Sequence, residues 1–238
     1  MNGDAPPSHA NADPNQTGAG EPTPELAAPA GLAIARTDAA EPNQPIFYIP
    51  SLEDGPLRQT EILSGVHQHN ITIESLNNPD GVEVAPINHE LAIIVSQDCD
   101  LEQDFNRREE LRIDGATADR FDTKLLPTVL LCEVSAETQI RVTVRGQGDS
   151  NQQFRHNKIE RYQFLRAVGA NEDALGDGLG AMGIDFKRYF AIPTAELYAQ
   201  LDGQCQRRCR LGPQYLEHFC ARFSNFLSRI GLPKNHHE

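Results

Sequence analysis

The sequence predicts an α+β fold in which a small antiparallel barrel or rolled sheet packs against a long C-terminal amphipathic helix. Short apolar segments recur along the chain at the spacing of strands joined by turns, which is typical of small rolled sheets. The last third of the chain carries an apolar stripe with the period of a helix, and such a stripe needs another layer to cover it. The 238 residues are enough for one such domain with a hydrophobic core.

The chain up to residue 150 holds the predicted strands. Two nearly continuous apolar segments, Glu90–Gln97 and Leu125–Val134, indicate strands that are covered on both faces. Pro127 is expected at the beginning of the second segment, because proline cannot donate to a strand ladder. Three further segments have strand composition or alternation, the last two being separated by a Pro/Gly turn: 46–49, 71–76 and 82–87.

The chain after residue 150 holds the predicted helices. Thr194–Leu201 has the composition of a short helix that begins next to a proline. A longer helix is expected to begin at Pro213, since proline suits the first helical turn, and to end near Ile230, with a glycine as its C-cap. Its apolar residues share one wide stripe: Tyr215, Leu216, Phe219, Cys220, Phe223, Phe226, Leu227 and Ile230.

Residues 1–44 are predicted to be a disordered acidic tail. They are rich in Pro, Ala, Asn, Asp and Gly, and they cannot bury enough apolar area to offset roughly 1–2 kcal/mol of backbone entropy per residue. We therefore expect a single α+β domain over residues 45–238. Its barrel-like part is 45–150 and its helix-containing part is 151–233.

The charge of the chain is unevenly distributed. The net charge is −13, with −7 in residues 1–55, −9 in residues 56–150 and +3 in residues 151–238. The last third also holds 11 of the 15 Phe and Tyr residues. The acidic part disfavours nucleic acid as a partner, whereas the basic, aromatic-rich part keeps it open as an alternative.

Two features of the chain predict a cytoplasmic protein with no membrane partner. No apolar run approaches the roughly 20 residues that cross a bilayer, and the N-terminus has no secretory signal pattern. The five cysteines cannot all pair with one another, and a domain of this size folds without disulfides. Reduced thiols are therefore expected.

The predicted functional site is the segment Ser96–Asp100, which follows the buried strand. Polar groups at the exit of a rigid central strand are well placed to meet a ligand, so Ser96, Gln97 and Asp98 are candidate ligand-binding residues. Cys99 and Asp100 are candidate catalytic residues for thiol chemistry. The flanking carboxylates raise the pKa of a thiol, however, and so disfavour the thiolate.

The same segment has two other interpretations. Asp98, Asp100 and Glu102 supply the carboxylate oxygens that Mg²⁺ or Ca²⁺ prefers, which makes a divalent cation the one cofactor to consider. Alternatively, Cys99 is a small buried residue, and Asp98 or Asp100 caps a following turn or helix over 100–105. The sequence leaves both open.

The remaining cysteines suggest a weaker metal site. Their spacing differs from the two intervening residues of a zinc knuckle, and neighbouring arginines oppose a cation, so packing is the favoured role. The candidate ligands are Cys205, Cys209, His218 and Cys220.

Basic and aromatic residues alternate over Phe154–Arg166 and Asp185–Phe190. Such side chains stack on bases and neutralise phosphates, although a strand with aromatic residues facing the core and charges facing water is the favoured interpretation. The candidate nucleic-acid contacts are Arg155, Lys158, Arg161, Lys187 and Arg188.

Three stretches carry a resemblance to known proteins: Leu57–Ser64, Leu91–Leu101 and Arg222–Pro233. Together they resemble a set of uncharacterised bacterial proteins with a Ser-Gln-x-Cys-Asp signature. The first two are also similar to the SH3-like barrel of the PemK/MazF toxins, which are ribonucleases. At position 60 this chain has Thr where the pattern has Gly. The resemblance implies an SH3-like barrel and a setting related to toxins or phage defence.

Two classes of function follow from these features. The preferred one is a bacterial intracellular binding or interaction module with a protein partner and no cofactor. The alternative is an enzyme that uses Ser96–Asp100, either a metal-dependent phosphodiesterase or nuclease or a cysteine-dependent hydrolase. An enzyme needs a second acid, His or Lys within about 3–7 Å of these side chains in a pocket, whereas a module would use the carboxylates to cap amides.

Overall fold

A computed structural model of the chain describes residues 45–71, 81, 83–119, 121–144 and 150–229. The predicted N-terminal tail, most of the predicted strand 71–76 and its turn, and the predicted helix end at Ile230 lie outside these residues. The described chain is α+β, with all strand pairs antiparallel.

Seven strands and five helices are described. The strands are β1 Tyr48–Pro50, β2 Glu61–Ile71, β3 Val84–Ile94, β4 Thr128–Ala136, β5 Tyr162–Leu165, β6 Met182–Pro193 and β7 Gln206–Leu211. The helices are α1 Asp98–Asp114, α2 Glu137–Val144, α3 Ser150–Arg155, α4 Thr194–Leu201 and α5 Pro213–Leu227. The strands form one sheet in the order β1-β7-β2-β3-β4-β6-β5.

The sheet is open, so the closed form of the predicted barrel is wrong. β1 and β5 are the two edge strands and do not pair with each other. β1 has only three residues and ends in Pro50. On β5, the Asn157 side chain occupies the outer edge, because its Oδ1 accepts a 2.6 Å bond from Phe164 N and its Nδ2 donates to Phe164 O at 3.4 Å. Neither edge is therefore available for closure.

Both faces of the central sheet are covered, as the apolar segments predict. Ile93 of β3 belongs to the core under α5, which also contains Phe219 and Phe223. Its neighbours Ala92 and Ile94 belong to a second core with Leu101 of α1 and Leu197 of α4. A third, smaller cluster joins α2 and α3 to β5 through Ile140, Val144, Phe154 and Tyr162.

The helices agree with the sequence to different degrees. α4 has the predicted bounds, and α5 begins at the predicted Pro213 and ends at Leu227. α1 is much longer than the short turn or helix expected after Ser96–Asp100. It is held by pairs of opposite charge one turn apart, such as Arg108 with Asp104, and ends at Gly115 in the left-handed conformation.

Candidate ligand-binding site

The segment Ser96–Asp100 connects β3 to α1, and two of its side chains bind main-chain groups. Ser96 Oγ accepts a 2.9 Å hydrogen bond from Leu130 N of β4. Asp98 Oδ1 accepts a 2.6 Å bond from Gln59 N in the loop before β2. These contacts fix the connection between β3 and α1 to β4 and to the loop before β2.

Cys99 lies exposed on the first turn of α1. Its Sγ is 3.7 Å from Gln97 Oε1 and 3.6 Å from Asp100 Oδ1. Both are acceptors for the thiol hydrogen, and no histidine is among the described hydrogen-bond partners of Cys99. It lines an open groove of about 500 Å³ beside α1. The catalytic roles of Cys99 and Asp100 in thiol chemistry remain predictions from the sequence.

The predicted cation site at Asp98, Asp100 and Glu102 is not formed. Within the described residues, no three His, Cys, Asp or Glu side chains come together as metal ligands. Asp98 is bonded to a main-chain amide, and Glu102 forms a 3.1 Å ion pair with Arg58. Asp98 and Glu102 lie one helical turn apart on α1, whereas Asp100, two positions from each, projects from another side of the helix.

The weaker zinc hypothesis is also wrong: within the described residues, the side chains of Cys205, Cys209, His218 and Cys220 do not come together as metal ligands. Cys205 and Cys209 are buried, and burial raises the pKa of each thiol to about 12. Burial also raises the pKa of Cys220 to about 11. Cys205 and Cys209 belong to the core and Cys220 packs against it, which agrees with the packing role favoured by the sequence.

Three of the five candidate nucleic-acid residues are held by acids. Arg155 binds Glu137 through two hydrogen bonds of 2.6 and 3.1 Å, Arg161 binds Asp185, and Arg188 lies 3.1 Å from Glu133. Each acid offsets the charge of its arginine and accepts some of its hydrogen bonds, which weakens a continuous basic surface for a nucleic-acid backbone. The other two, Lys158 and Lys187, lie on different segments, a loop after α3 and β6.

A second cleft lies beside β5, between that strand, α5 and the residues preceding β1. We call it the β5 cleft; its volume is about 430 Å³. The hydroxyl of Tyr48 in β1 donates a 2.7 Å bond to the carbonyl of Arg166, just after β5, which holds these elements together. The cleft is lined by Phe47, Arg155, Asn157, Gln163, Phe164, Leu165, Arg166, Leu211, Gln214, Tyr215 and His218.

Gln163 is the unusual residue of the β5 cleft. Its side chain is only 5 % exposed, and its Oε1 has no hydrogen-bond partner among the described residues. Its Nε2 donates a 3.2 Å bond to Phe164 O. Because that carbonyl can only accept, the amide nitrogen must face it, and the oxygen remains the unpaired atom. A buried, unpaired acceptor costs about 1–3 kcal/mol.

Aromatic and basic side chains form the walls around Gln163. The rings of Phe47 and Tyr215 lie 3.8 Å apart between centroids, tilted by 36°. The guanidinium of Arg166 lies 4.4 Å above the ring of Phe47 and forms a 2.8 Å ion pair with Glu172. The cleft thus combines rigid apolar walls with anchored cations, a composition typical of small-molecule sites.

Sequence reasoning included Gln163 and Arg166 in the basic, aromatic stretch 154–166 but gave neither a role. The favoured interpretation was a strand with Tyr162 and Phe164 facing the core and the charges facing water. The structure covers both faces, since Leu165 packs in the core under α5 while Tyr162 packs against α3. No pattern within the strand could have indicated that second cover.

No protein-family model, curated protein or solved structure matches this chain. The described residues contain no helix that is both long and apolar enough to span a membrane. The features on which a functional conclusion can be based are therefore the open antiparallel sheet and the β5 cleft.

Proposed function

We propose that the protein is a binding module, and that it binds a small organic molecule in the β5 cleft. The observation that carries the proposal is the unpaired Oε1 of Gln163. In the ligand-free protein this oxygen is buried behind the lining of the cleft. A rotation of the Gln163 side chain would let it accept a hydrogen bond from an N–H or O–H group of the bound molecule and recover the free energy lost by burying it unpaired.

The geometry of the edge favours a small molecule over an added peptide strand. Peptides that extend a sheet use the free main-chain groups of an edge strand. At β5, Asn157 already occupies both the amide and the carbonyl of Phe164, and the side chain of Arg222 donates to the carbonyl of Tyr162 at 2.8 Å. The cleft beside this edge is instead a half-open space of single-ligand size.

The proposal retains the class that the sequence favours and moves the site. Ser96 and Asp98 are used within the fold, so the binding surface is expected at β5 rather than at Ser96–Asp100. A cytoplasmic setting related to toxins or phage defence, and a protein partner, remain proposals that rest on the sequence and its resemblance.

The test compares two probes that differ by one donor. Indole-3-carboxylate has a ring N–H, and 1-methylindole-3-carboxylate has a methyl group in its place. Titration calorimetry or ligand-observed NMR should give the wild-type protein about tenfold tighter binding of the N–H probe, because only that probe pairs the buried acceptor. In Gln163→Met, which keeps the length of the side chain without its amide, the ratio should fall to about one.

The same variant separates a ligand-binding role from a structural one. Since Phe164 O keeps its bond from Asn157, Gln163→Met should fold and be about 1 kcal/mol more stable in urea unfolding than the wild type. If the wild-type protein binds both probes equally, or binds neither of them, the proposal is overturned. A less stable variant with an unchanged probe ratio would also contradict it.

A further inference from the structure

We infer that the molecule bound in the β5 cleft is a planar anion, a carboxylate or phosphate carried on a flat ring. This inference rests on the proposed function, since it names the chemical class of the ligand for the same cleft. It is argued from the charges that line the cleft, from the way its arginines are held and from the shape of its walls.

The charges that line the cleft have one sign. The charged residues in the lining are Arg155 and Arg166, and none of the described lining residues is Asp or Glu. The acids that pair with the two arginines, Glu137 and Glu172, lie outside the lining. The guanidinium groups therefore contribute to the surface of the cleft, and their carboxylate partners do not.

The arginines are fixed in place and still have donors to offer. Glu137 accepts hydrogen bonds from the Nε and Nη2 of Arg155, and Glu172 accepts one from the Nη2 of Arg166. Among the described residues, the Nε and Nη1 of Arg166 have no hydrogen-bond partner. The stacking of Arg166 on Phe47 also limits its rotation. A guanidinium that is already ordered binds an anion with less loss of side-chain entropy.

The walls select a flat ligand. Three aromatic residues line the cleft, Phe47, Phe164 and Tyr215, and their rings are held by neighbouring rings: Phe47 against Tyr215, and Phe164 against Phe154 at 5.6 Å. Rigid aromatic walls favour stacking or edge contacts with another ring. A volume of about 430 Å³ accepts one ring system with its substituents and is too small for a polymer.

The test replaces the charge of the probe and keeps its shape. Indole-3-carboxylate and indole-3-carboxamide share the ring and its N–H, and differ in the anionic group. The wild-type protein should bind the carboxylate about tenfold more tightly at low salt, and added salt should reduce the difference. In Arg166→Gln the preference should fall to about twofold or less, with the affinity for the carboxamide unchanged.

Arg112→Gln is the matched control, because Arg112 is also an exposed arginine paired with a glutamate, on α1 and outside the lining of the cleft. It should keep the full preference for the carboxylate. If the wild-type protein binds both probes equally, or if Arg166→Gln keeps the preference, the inference is overturned. The proposed function would then still be judged by comparing each probe with its N-methyl form, since that ratio depends on Gln163 and not on charge.

Discussion

The phenolic oxygen of Tyr48 donates a 2.7 Å hydrogen bond to the carbonyl oxygen of Arg166. These residues belong to opposite ends of the sheet: Tyr48 is in the edge strand β1, and Arg166 follows the edge strand β5. The ring of Tyr48 is almost fully buried, and burial raises the pKa of its hydroxyl, which therefore stays a proton donor at all ordinary pH values. This bond brings the two walls of the β5 cleft together.

Removing this hydroxyl should lower both the stability of the fold and the affinity of the β5 cleft for its ligand. Tyr48→Phe keeps the ring in the core and leaves the Arg166 carbonyl without this donor, so we expect a loss of about 1–2 kcal/mol in the free energy of unfolding. Phe47 and Arg166 flank the bond, so the affinity for indole-3-carboxylate should fall as well. Urea unfolding and calorimetry measure the two effects. Tyr189→Phe, at an exposed tyrosine outside the cleft, should change neither; an unaltered stability of Tyr48→Phe would show that the edges are held in another way.

His89 should make the stability of the protein depend on pH. It is 8 % exposed and stacked on Phe190 at 3.9 Å. Burial lowers its pKa; the charge of Glu133 opposes this shift, and a smaller effect of Arg188 adds to it. The unfolded chain therefore takes up the proton at a higher pH than the folded protein does. The free energy of unfolding should fall as the pH drops below about 6.5 and level off below the folded-state pKa.

The variant His89→Gln isolates this effect, since it cannot titrate. It should be less stable than the wild type at pH 8, because it loses the stacking on Phe190, and the gap should narrow as the pH approaches 5. Denaturant unfolding at several pH values follows the gap. If the difference in stability between the two proteins stays constant across this range, protonation of His89 does not destabilise the folded protein.

Asp104 should be the most important acid of α1. It is fully buried, binds Arg108 through two hydrogen bonds of 2.7 and 3.0 Å, and accepts a 2.8 Å bond from Leu126 N. Asp104→Ala leaves the amide and much of the guanidinium unpaired, so we expect a loss of about 3 kcal/mol in thermal or urea unfolding. Glu109→Ala removes an exposed partner of Arg112 from the same helix and should have no measurable effect. Similar losses for both variants would refute this distinction.

Gly65 should not tolerate a side chain. Its φ is +71°, and a Cβ there would lie 2.8 Å from the carbonyl oxygen of Gln204. Gly65→Ala therefore combines left-handed backbone strain with a clash against main chain, and we expect a loss of more than about 2 kcal/mol. Gly115→Ala, with φ +62° and open space, should lose only about 1 kcal/mol, and Gly203→Ala, with open space and ordinary backbone, close to nothing. Equal midpoints for the three variants in urea would contradict the prediction.

Thr60, just before β2, has an unusual backbone conformation. Its φ of +65° is in the left-handed region that favours glycine. Its side chain is fully buried, and its Oγ1 has no hydrogen-bond partner among the described residues. A β-branched residue rarely adopts this conformation, so the surrounding structure must hold it there.

The sequence predicted those elements whose signal lies within the element. The continuous apolar segment of β3 and the β4 segment after Pro127 follow from local pattern, as do the bounds of α4. It did not predict that the segments 82–87 and 90–97 form one strand, since Val84–Ile94 is continuous only because β2 pairs along its whole length. The long helix α1 was missed because its charged side chains stabilise each other and show little apolar period.

By itself, then, the amino-acid sequence determined the α+β class, the buried central strands and the charged and aromatic character of the region around β5, because composition and periodicity decide which segments must be buried. Only the tertiary structure decided the roles of individual side chains. The long-range contact between Asp98 and Gln59 gives this candidate carboxylate a structural role. The contact between Tyr48 and Arg166 brings together the distant segments that form the β5 cleft. The unpaired oxygen of Gln163 exists only in that arrangement, because burial and partners are properties of the whole fold.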